Sequence, residues 1–423
     1  MNKKKILIIF SVLMLFLMIT SVSAKDIDTT DKKLDATDSK EIIGSVDGSS
    51  DYNNHVKDKL SSNSDDKLKL ENNSKDKFSA GGDNDVLGAS INVNTFSALS
   101  SALSNSAYSE INIVGNITFT GSLTITRSNL IINGNGNTLN GNNQYRIFYI
   151  DGSQSRVTLK NITFKNGLSP APGSGQDSNR VSCGGAVDFR SSQYCVVDSC
   201  TFLNCYSNYG GGALHFSEGS QHNTISNCVF KNNRALISGG AIRIRTTTSQ
   251  QSMYNTIKNC YFEYNRAGFD TTRGGSGGAI EFYTGNSLLD NCTFIRNSIV
   301  SSPSATFGAC GGAVELYDNS KNNVFKNSIF INNSAPYANG GAFAINRDTS
   351  SNTTIMNCSF IGNKAVSGGA IYFNAANSNI ISCFFANDSA TTSGGAVYSA
   401  SVGSVVDSCV FKNCTAPSSN YFY

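Results

Sequence analysis

The tripeptide Gly-Gly-Ala followed by an apolar residue occurs eight times between residues 184 and 397, and this repetition restricts the fold more than any other feature. The copies begin at Gly184, Gly211, Gly239, Gly277, Gly311, Gly340, Gly368 and Gly394. A second motif precedes each copy, and its fullest form, Cys-x-Phe-x-x-Asn, is found at residues 228–233. From Cys200 to Cys409 this motif advances in seven steps over 209 residues, so one unit has about 30 residues. A repeat of this length predicts units that stack on their neighbours around one continuous core.

Each unit contains short apolar alternations separated by Asn, Ser or Gly. Residues 255–260, 261–262 and 278–282 form one such set. Alternation with a period of two, in segments of three to five residues, indicates β-strands and not helices. Three short strands in about 30 residues fit one turn of a right-handed parallel β-helix, whose turns stack about 4.8 Å apart. A propeller, whose blades need about 40 to 50 residues, and a sandwich without repeats fit less well.

A helix is predicted where the repeats begin. Thr95 is suited to cap its N-terminus, and Phe96, Leu99 and Leu103 fall on one face. Such a helix would cover the open edge of the first turn, which otherwise invites strand pairing. We therefore predict an all-β fold over residues 88–423, a right-handed parallel β-helix solenoid with a short N-terminal capping helix.

The first 87 residues differ from the rest of the chain. Three lysines, an apolar run at residues 6–19 and a small-residue site ending at Ala24 predict a secretory signal peptide over residues 1–24. A membrane anchor is the alternative, although the run is shorter than the ~20 residues that a bilayer requires. Residues 25–87 carry 10 Lys and 15 Asp or Glu and predict a charged, disordered linker. The net charge of +3 gives no basis for a nucleic-acid partner.

The two repeated motifs resemble those of a known family. Phe-x-x-Asn paired with Gly-Gly-Ala-(Ile/Leu/Val) is similar to the polymorphic outer membrane protein repeats of chlamydial autotransporter adhesins. The Asn-rich composition and residues 129–136 resemble the Asn/Thr-rich adhesin-like surface proteins of methanogenic archaea. The resemblance runs from about residue 90 onward and implies a pectin-lyase-like β-helix that is secreted or displayed on the cell surface. Because no capping segment is evident after Cys414, we also expect a partner or a missing segment at that end.

Equivalent positions of a stacked solenoid form columns, and two columns point inward. The first contains Ile162, Cys200, Cys228, Cys260, Cys292, Ser328, Cys358, Cys383 and Cys409. Neighbours in a column lie about 4.8 Å apart with parallel Cβ vectors, which favours stacked free thiols over disulfides. The second contains Asn233, Asn265, Asn297, Asn333 and Asn363, and predicts an internal amide ladder.

Three His and no Cys-x-x-Cys give no basis for a metal site, and we expect no cofactor.

Two further columns are predicted to point outward, towards solvent. The first contains Asp188, His215, Arg243, Glu281, Glu315, Ala344, Tyr372 and Tyr398. The second contains Arg190, Ser217, Arg245, Tyr283, Tyr317, Asn346, Asn374 and Ala400. Glu281 and Glu315, one turn apart at about 5 Å, could form the carboxylate pair of a polysaccharide lyase or retaining glycoside hydrolase. We favour a solvated sheet without catalytic residues, because no compact acid/base cluster recurs.

Three units carry insertions between the motifs, at residues 168–183, 266–276 and 298–310. Insertions in a solenoid emerge from one edge, which is often the binding edge. We therefore predict an adhesin-like protein that binds a glycan or a surface protein of another cell. The predicted binding residues are Arg243, Arg245, Arg266, Phe269, Asp270, Arg273, Glu281, Tyr283, Phe307, Glu315 and Tyr317. A polysaccharide-active enzyme and a structural spacer of the cell envelope are the alternatives.

Overall fold

The computed structural model of the protein describes most of the repeat region. It covers residues 88–421 with gaps at 152–154, 175–180, 246–251, 271–272, 301–309, 346–348, 375 and 401–402. The predicted signal peptide, the predicted linker, Phe307 and Asn346 lie outside the described residues. Among the described residues, no helix has the length and apolar character needed to span a bilayer.

Within the described ranges, the strands form four parallel sheets, numbered here in the order in which one turn visits them. Sheet 1 has twelve strands: Ala89–Val93, Tyr108–Ile113, Ile131–Asn133, Thr158–Lys160, Val196–Asp198, Thr224–Ser226, Thr256–Lys258, Leu288–Asp290, Val324–Lys326, Thr354–Met356, Asn379–Ile381 and Val405–Asp407. Sheet 2 has eleven: Ile117–Thr118, Thr138–Asn140, Thr163–Lys165, Thr201–Leu203, Val229–Lys231, Tyr261–Glu263, Thr293–Ile295, Ile329–Ile331, Ser359–Ile361, Phe384–Ala386 and Val410–Lys412. Sheet 3 has seven: Tyr206–Ser207, Arg234–Ala235, Arg266–Ala267, Ser298–Ile299, Ser334–Ala335, Lys364–Ser367 and Ser389–Ser393. Sheet 4 has ten: Leu123–Ile125, Phe148–Ile150, Val187–Arg190, Leu214–Ser217, Ile242–Arg245, Ile280–Tyr283, Val314–Leu316, Phe343–Ile345, Ile371–Phe373 and Val397–Ser399.

Most strands pair in continuous register with the equivalent strand of the next turn, as in Ile225 with Ile257 and Phe230 with Phe262. This arrangement confirms the predicted parallel β-helix. The sequence predicted three strands per turn, but most turns also contribute to sheet 3. Its strands were not predicted because a segment of two residues, such as Arg234–Ala235, is too short to show alternation.

The predicted helix is present over Phe96–Ser104. Thr95 caps it by accepting a hydrogen bond from the Ala98 backbone N–H at 3.2 Å. Its buried face, Leu99, Ala102 and Leu103, joins the apolar core of the solenoid. The helix therefore shields the core next to the first strands.

The core is built around a continuous stack of phenylalanine rings from sheet 2. Its members are Phe164, Phe202, Phe230, Phe262, Phe294, Phe330, Phe360, Phe385 and Phe411. Neighbouring ring centroids lie 4.6–5.0 Å apart with planes within 8° of parallel. This spacing equals the separation of adjacent β-strands, so each turn is aligned with the next through its aromatic side chain.

The predicted amide ladder is also present and fully buried. In each step the side-chain oxygen of one Asn accepts from the backbone and side-chain N–H groups of the Asn before it, as Asn297 does from Asn265 at 3.0 and 2.9 Å. A second ladder, absent from the sequence analysis, lies at the corner before sheet 1 and includes Asn223, Asn255 and Ser287. Its column mixes Asn, Ser and Thr, so it produces no constant motif.

The twelve cysteines are free thiols in this structure. Those of the predicted column donate to backbone carbonyl oxygens, as Cys228 Sγ does to Ser226 at 3.1 Å and to Val197 at 3.5 Å. A thiol at this position therefore fills space in the core and donates a hydrogen bond to a backbone carbonyl oxygen where the chain turns between sheets 1 and 2.

The corners explain much of the Asn content. A single residue in the left-handed conformation turns the chain between sheets, such as Asn227 with φ 55° and Asn232 with φ 56°. Asn tolerates this conformation better than other non-Gly residues.

Asp388 extends the amide ladder with a carboxyl group and makes the ladder sensitive to pH. It is fully buried and accepts from the backbone and side-chain N–H groups of Asn363 at 2.8 and 2.9 Å. Burial raises the pKa of Asp388 to about 7, although the hydrogen bonds from Asn363 oppose the shift. The folded state therefore binds this proton more tightly than the unfolded chain, and the stability it provides is lost as the pH rises from about 4 through 7.

We expect Asp388→Asn to abolish this dependence. Between pH 5 and 8 the wild type should lose about 2 to 3 kcal/mol of unfolding free energy that the variant retains. Chemical denaturation at both pH values measures the difference. A variant whose loss equals that of the wild type would show that Asp388 does not titrate in this range.

Candidate functional site

Five charged or titratable side chains lie in register on adjacent strands of sheet 4 and point away from the core. They are Asp188, His215, Arg243, Glu281 and Glu315, here called the charged row. The prediction that these five residues face solvent is wrong. Asp188, His215 and Glu315 are fully buried, and Glu281 and Arg243 are only 5% and 6% exposed.

The charged row is covered where the segments before Gly211 and Gly239 lie over the outer face of sheet 4. Ser238 donates to Glu281 Oε2 at 2.8 Å, and the ring of Tyr209 lies 5.0 Å from the Arg243 guanidinium carbon. Gly210 contributes by its lack of a side chain, since an added Cβ would lie 2.5 Å from Arg243 Cδ. A polar layer of side chains and covering segments therefore lies on the outer face of sheet 4, in addition to the apolar core on its inner face.

The first insertion is held on this layer by Arg146. Its guanidinium donates to the carbonyl oxygens of Val181 and Cys183 at 2.7 Å and of Gly184 at 3.1 Å. The same group lies 3.5 Å from Asp188. Charge and hydrogen bonding thus fix the end of the insertion over the charged row.

The two glutamates do not form an open carboxylate pair. Glu281 is bound to Arg243 Nε at 2.5 Å as well as to Ser238, and Glu315 is fully buried. Burial alone would lower the pKa of Arg243, but Glu281, together with Cys183 and Tyr209, raises it above its usual value. This part of the row is an ion-pair network, and neither carboxylate is placed to meet a polysaccharide from solvent.

Beyond the charged row, sheet 4 presents partly exposed aromatic and basic groups. Arg245 and Tyr283 are in register on neighbouring strands, and the rings of Tyr283 and Tyr317 pack edge to face with centroids 5.5 Å apart. These three residues, here called the tyrosine patch, are each partly accessible. A pair of phenol rings beside a guanidinium offers apolar faces and hydrogen-bonding groups to a polar ligand.

The predicted loop residues form separate pairs. Phe269 lies under the Arg234 guanidinium at 5.7 Å, and Asp270 pairs with Arg273 at 3.8 Å. Arg266 is exposed on a strand of sheet 3. The structure therefore divides the predicted binding residues into a buried set (Arg243, Glu281 and Glu315), the tyrosine patch and these loop groups.

A cluster of Cys183, His215 and Asp188 was not predicted from the sequence. Nδ1 of His215 lies 2.8 Å from Asp188 Oδ1, and Arg243 Nη1 donates to Cys183 Sγ at 3.6 Å. The available signal was the position of Cys183 immediately before the first Gly-Gly pair, next to a column that contains Asp and His. Within the described part of the chain, no group of three or more His, Cys, Asp or Glu is arranged to hold a metal ion.

Parallel sheets that are built up by one strand per turn define a β-helix. Comparison with protein families gives the same fold. Residues 186–385 match the profile of the right-handed β-helix region, and residues 90–189 match that of the pectate lyase-like adhesive domain. The fold of the chain is therefore that of a parallel β-helix, and the two matches together span residues 90–385. No curated protein sequence matches it significantly.

Solved β-helix structures of several activities are similar to it. The surface adhesin PfbA of Streptococcus pneumoniae shares 14% identity over 77% of this chain and 94% of its own, with a TM-score of 0.44. The catalytic domain of a GH87 α-1,3-glucanase shares 13% identity over 81% and 67%, with a TM-score of 0.49. DFA-IIIase of Arthrobacter chlorophenolicus shares 14% over 72% and 83%, with a TM-score of 0.44. This similarity is too low to carry information about function.

Proposed function

We propose that the protein is a secreted or surface-displayed adhesin of the kind that the repeat motifs resemble. It binds a glycan or a surface protein of another cell through the tyrosine patch on sheet 4. The observation that carries this proposal is the contrast on the outer face of sheet 4, where the charged row is sealed and the tyrosine patch beside it is accessible.

The match of residues 90–189 to an adhesive domain supports the class. The chemistry of the patch supports the kind of ligand. The pyranose ring has an apolar face that stacks on phenol rings, and Arg245 can donate to hydroxyl or carboxylate groups of the same sugar. Because Tyr283 and Tyr317 are already packed together, little conformational entropy is lost when a ligand docks on them.

The double substitution Tyr283→Ala and Tyr317→Ala tests the proposal. We expect binding to glycan arrays and to whole cells to fall by about tenfold or more, because both stacking surfaces are lost. Binding should be measured on the full chain, with an unchanged thermal unfolding midpoint as evidence that the turns remain folded.

Tyr337→Ala is the matched control. Tyr337 is 58% exposed on the turn between sheets 3 and 4, so its loss removes an accessible phenol outside the patch. Its variant should bind as the wild type does. Equal binding by the double variant, or failure of the wild type to bind any glycan or cell, would contradict the proposed function.

A further inference from the structure

The cluster at the start of the charged row has the composition of a nucleophilic centre. Cys183, His215 and Asp188 are each fully buried. His215 Nδ1 lies 2.8 Å from Asp188 Oδ1, and Arg243 Nη1 donates to Cys183 Sγ at 3.6 Å. One buried cluster thus contains an imidazole bonded to a carboxylate and a thiol bonded to a guanidinium.

The fold assembles this cluster from three successive turns. Asp188 and His215 are in register on adjacent strands, and Arg243 follows on the next. Cys183 comes from the segment that Arg146 holds over sheet 4. The absence of a side chain at Gly210 leaves the space through which Arg243 extends, since a Cβ there would meet its Cδ.

The electrostatics of the cluster favour the ionised pair. Burial opposes ionisation of Cys183, but His215 and then Arg243 outweigh it and lower the pKa of the thiol. Burial likewise opposes the charge on His215, whereas Cys183 and Asp188 raise the pKa of the imidazole. The thiolate is the nucleophilic form of cysteine, and charged side chains rather than neighbouring thiols favour it at Cys183.

We propose that Cys183, with His215 and Asp188, is a reactive thiolate site whose substrate is a small hydroperoxide. The sulfur attacks the distal peroxide oxygen, an S–O bond forms and the O–O bond breaks. Sulfur is oxidised to sulfenic acid, and the peroxide is reduced to an alcohol or water. The proton of the His215 imidazolium passes to the leaving oxygen, and Asp188 orients that imidazole.

Burial determines the size of the substrate. An acyl or glycosyl substrate must lie against the sulfur, and the described residues around Cys183 leave it no exposed surface. A molecule of nearly the size of water can reach a packed site through local opening. The adjacent guanidinium of Arg243 stabilises both the thiolate and the developing alkoxide.

Cys310 provides an internal control. It occupies the same position before a Gly-Gly pair and is also buried, at 1% exposure. The sheet 4 column beside it contains Glu315, Ala344 and Tyr372 in place of Asp and His. Trypsin should release Cys183 in residues 181–190 and Cys310 in residues 297–321, each as the single cysteine of its peptide.

The test treats the reduced, full-length protein with limiting hydrogen peroxide, stops the reaction by denaturation in dimedone and measures the adduct on both peptides by mass spectrometry. We expect Cys183 to be oxidised at least about ten times faster than Cys310. His215→Gln should lower the rate at Cys183 by about tenfold and leave Cys310 unchanged. Equal rates at the two cysteines of the wild type would overturn the proposal, and this comparison stands even where the variant does not fold.

Discussion

Replacing Gly312 with alanine should destabilise the protein by about 4 kcal/mol or more, the largest effect expected for a single methyl group in this fold. Gly312 is the second residue of a Gly-Gly pair, and an added Cβ would lie 2.0 Å from the carbonyl oxygen of Gly341 and 2.6 Å from the carbonyl carbon of Ser334. Both atoms belong to the backbone of the next turn, so relief requires that two turns separate. Denaturation followed by far-UV circular dichroism measures the loss.

Gly121→Ala is the control for this substitution. Its added Cβ would meet only Phe96 Cζ, at an ordinary 3.7 Å, so we expect a change within about 0.5 kcal/mol. An equally small change in the unfolding free energy of Gly312→Ala would show that adjacent turns do not approach closely at the Gly-Gly pairs.

Removal of one amide from the internal ladder should have the next largest effect, about 3 to 5 kcal/mol. Asn297→Ala deletes the acceptor of two N–H groups of Asn265 and the donor to Phe262 and Asn333. These groups are buried, so the two N–H donors and the Phe262 carbonyl each lose a hydrogen bond without gaining water, and Asn333 Oδ1 keeps only its bond from the backbone N–H of residue 297. The unfolding free energy of the full chain measures the effect.

The matched comparison uses an Asn of the outer corners. Asn291 is exposed, has φ 51° and donates to Asn259 at 2.9 Å in a solvent-facing step. Asn291→Gly keeps the backbone conformation accessible and should cost less than about 1 kcal/mol. Similar losses for both variants would mean that the internal ladder contributes no more than surface amides.

The repeat unit made the core predictable. The recurrence of Phe-x-x-Asn and Gly-Gly-Ala identified the strands, the inward Cys and Asn columns and the glycines, because stacking forces equivalent residues into columns. Alternation also distinguished inward from outward side chains correctly. Phe282 points into the core, and its neighbours Glu281 and Tyr283 point out.

The accessibility of the outer face could not be predicted in the same way. Ser238 contacts Glu281 and Tyr209 contacts Arg243, and both covering residues lie in segments without periodic apolar residues. The contact of Cys183 with Arg243 likewise spans 60 residues and depends on a glycine between them. Such contacts follow from how segments of variable length fold over a sheet, and a repeat pattern carries no information about them.

The sealed charged row and the accessible tyrosine patch are together the basis of the proposed binding role. The most direct test incubates the full chain with a panel of polysaccharides and determines, by mass spectrometry, both the glycan retained and its length. The account predicts that retained glycans are intact and that retention depends on Tyr283 and Tyr317. Release of shortened or unsaturated glycans that disappears on Glu281→Gln would contradict it, because the buried, ion-paired Glu281 would then act as a catalytic group.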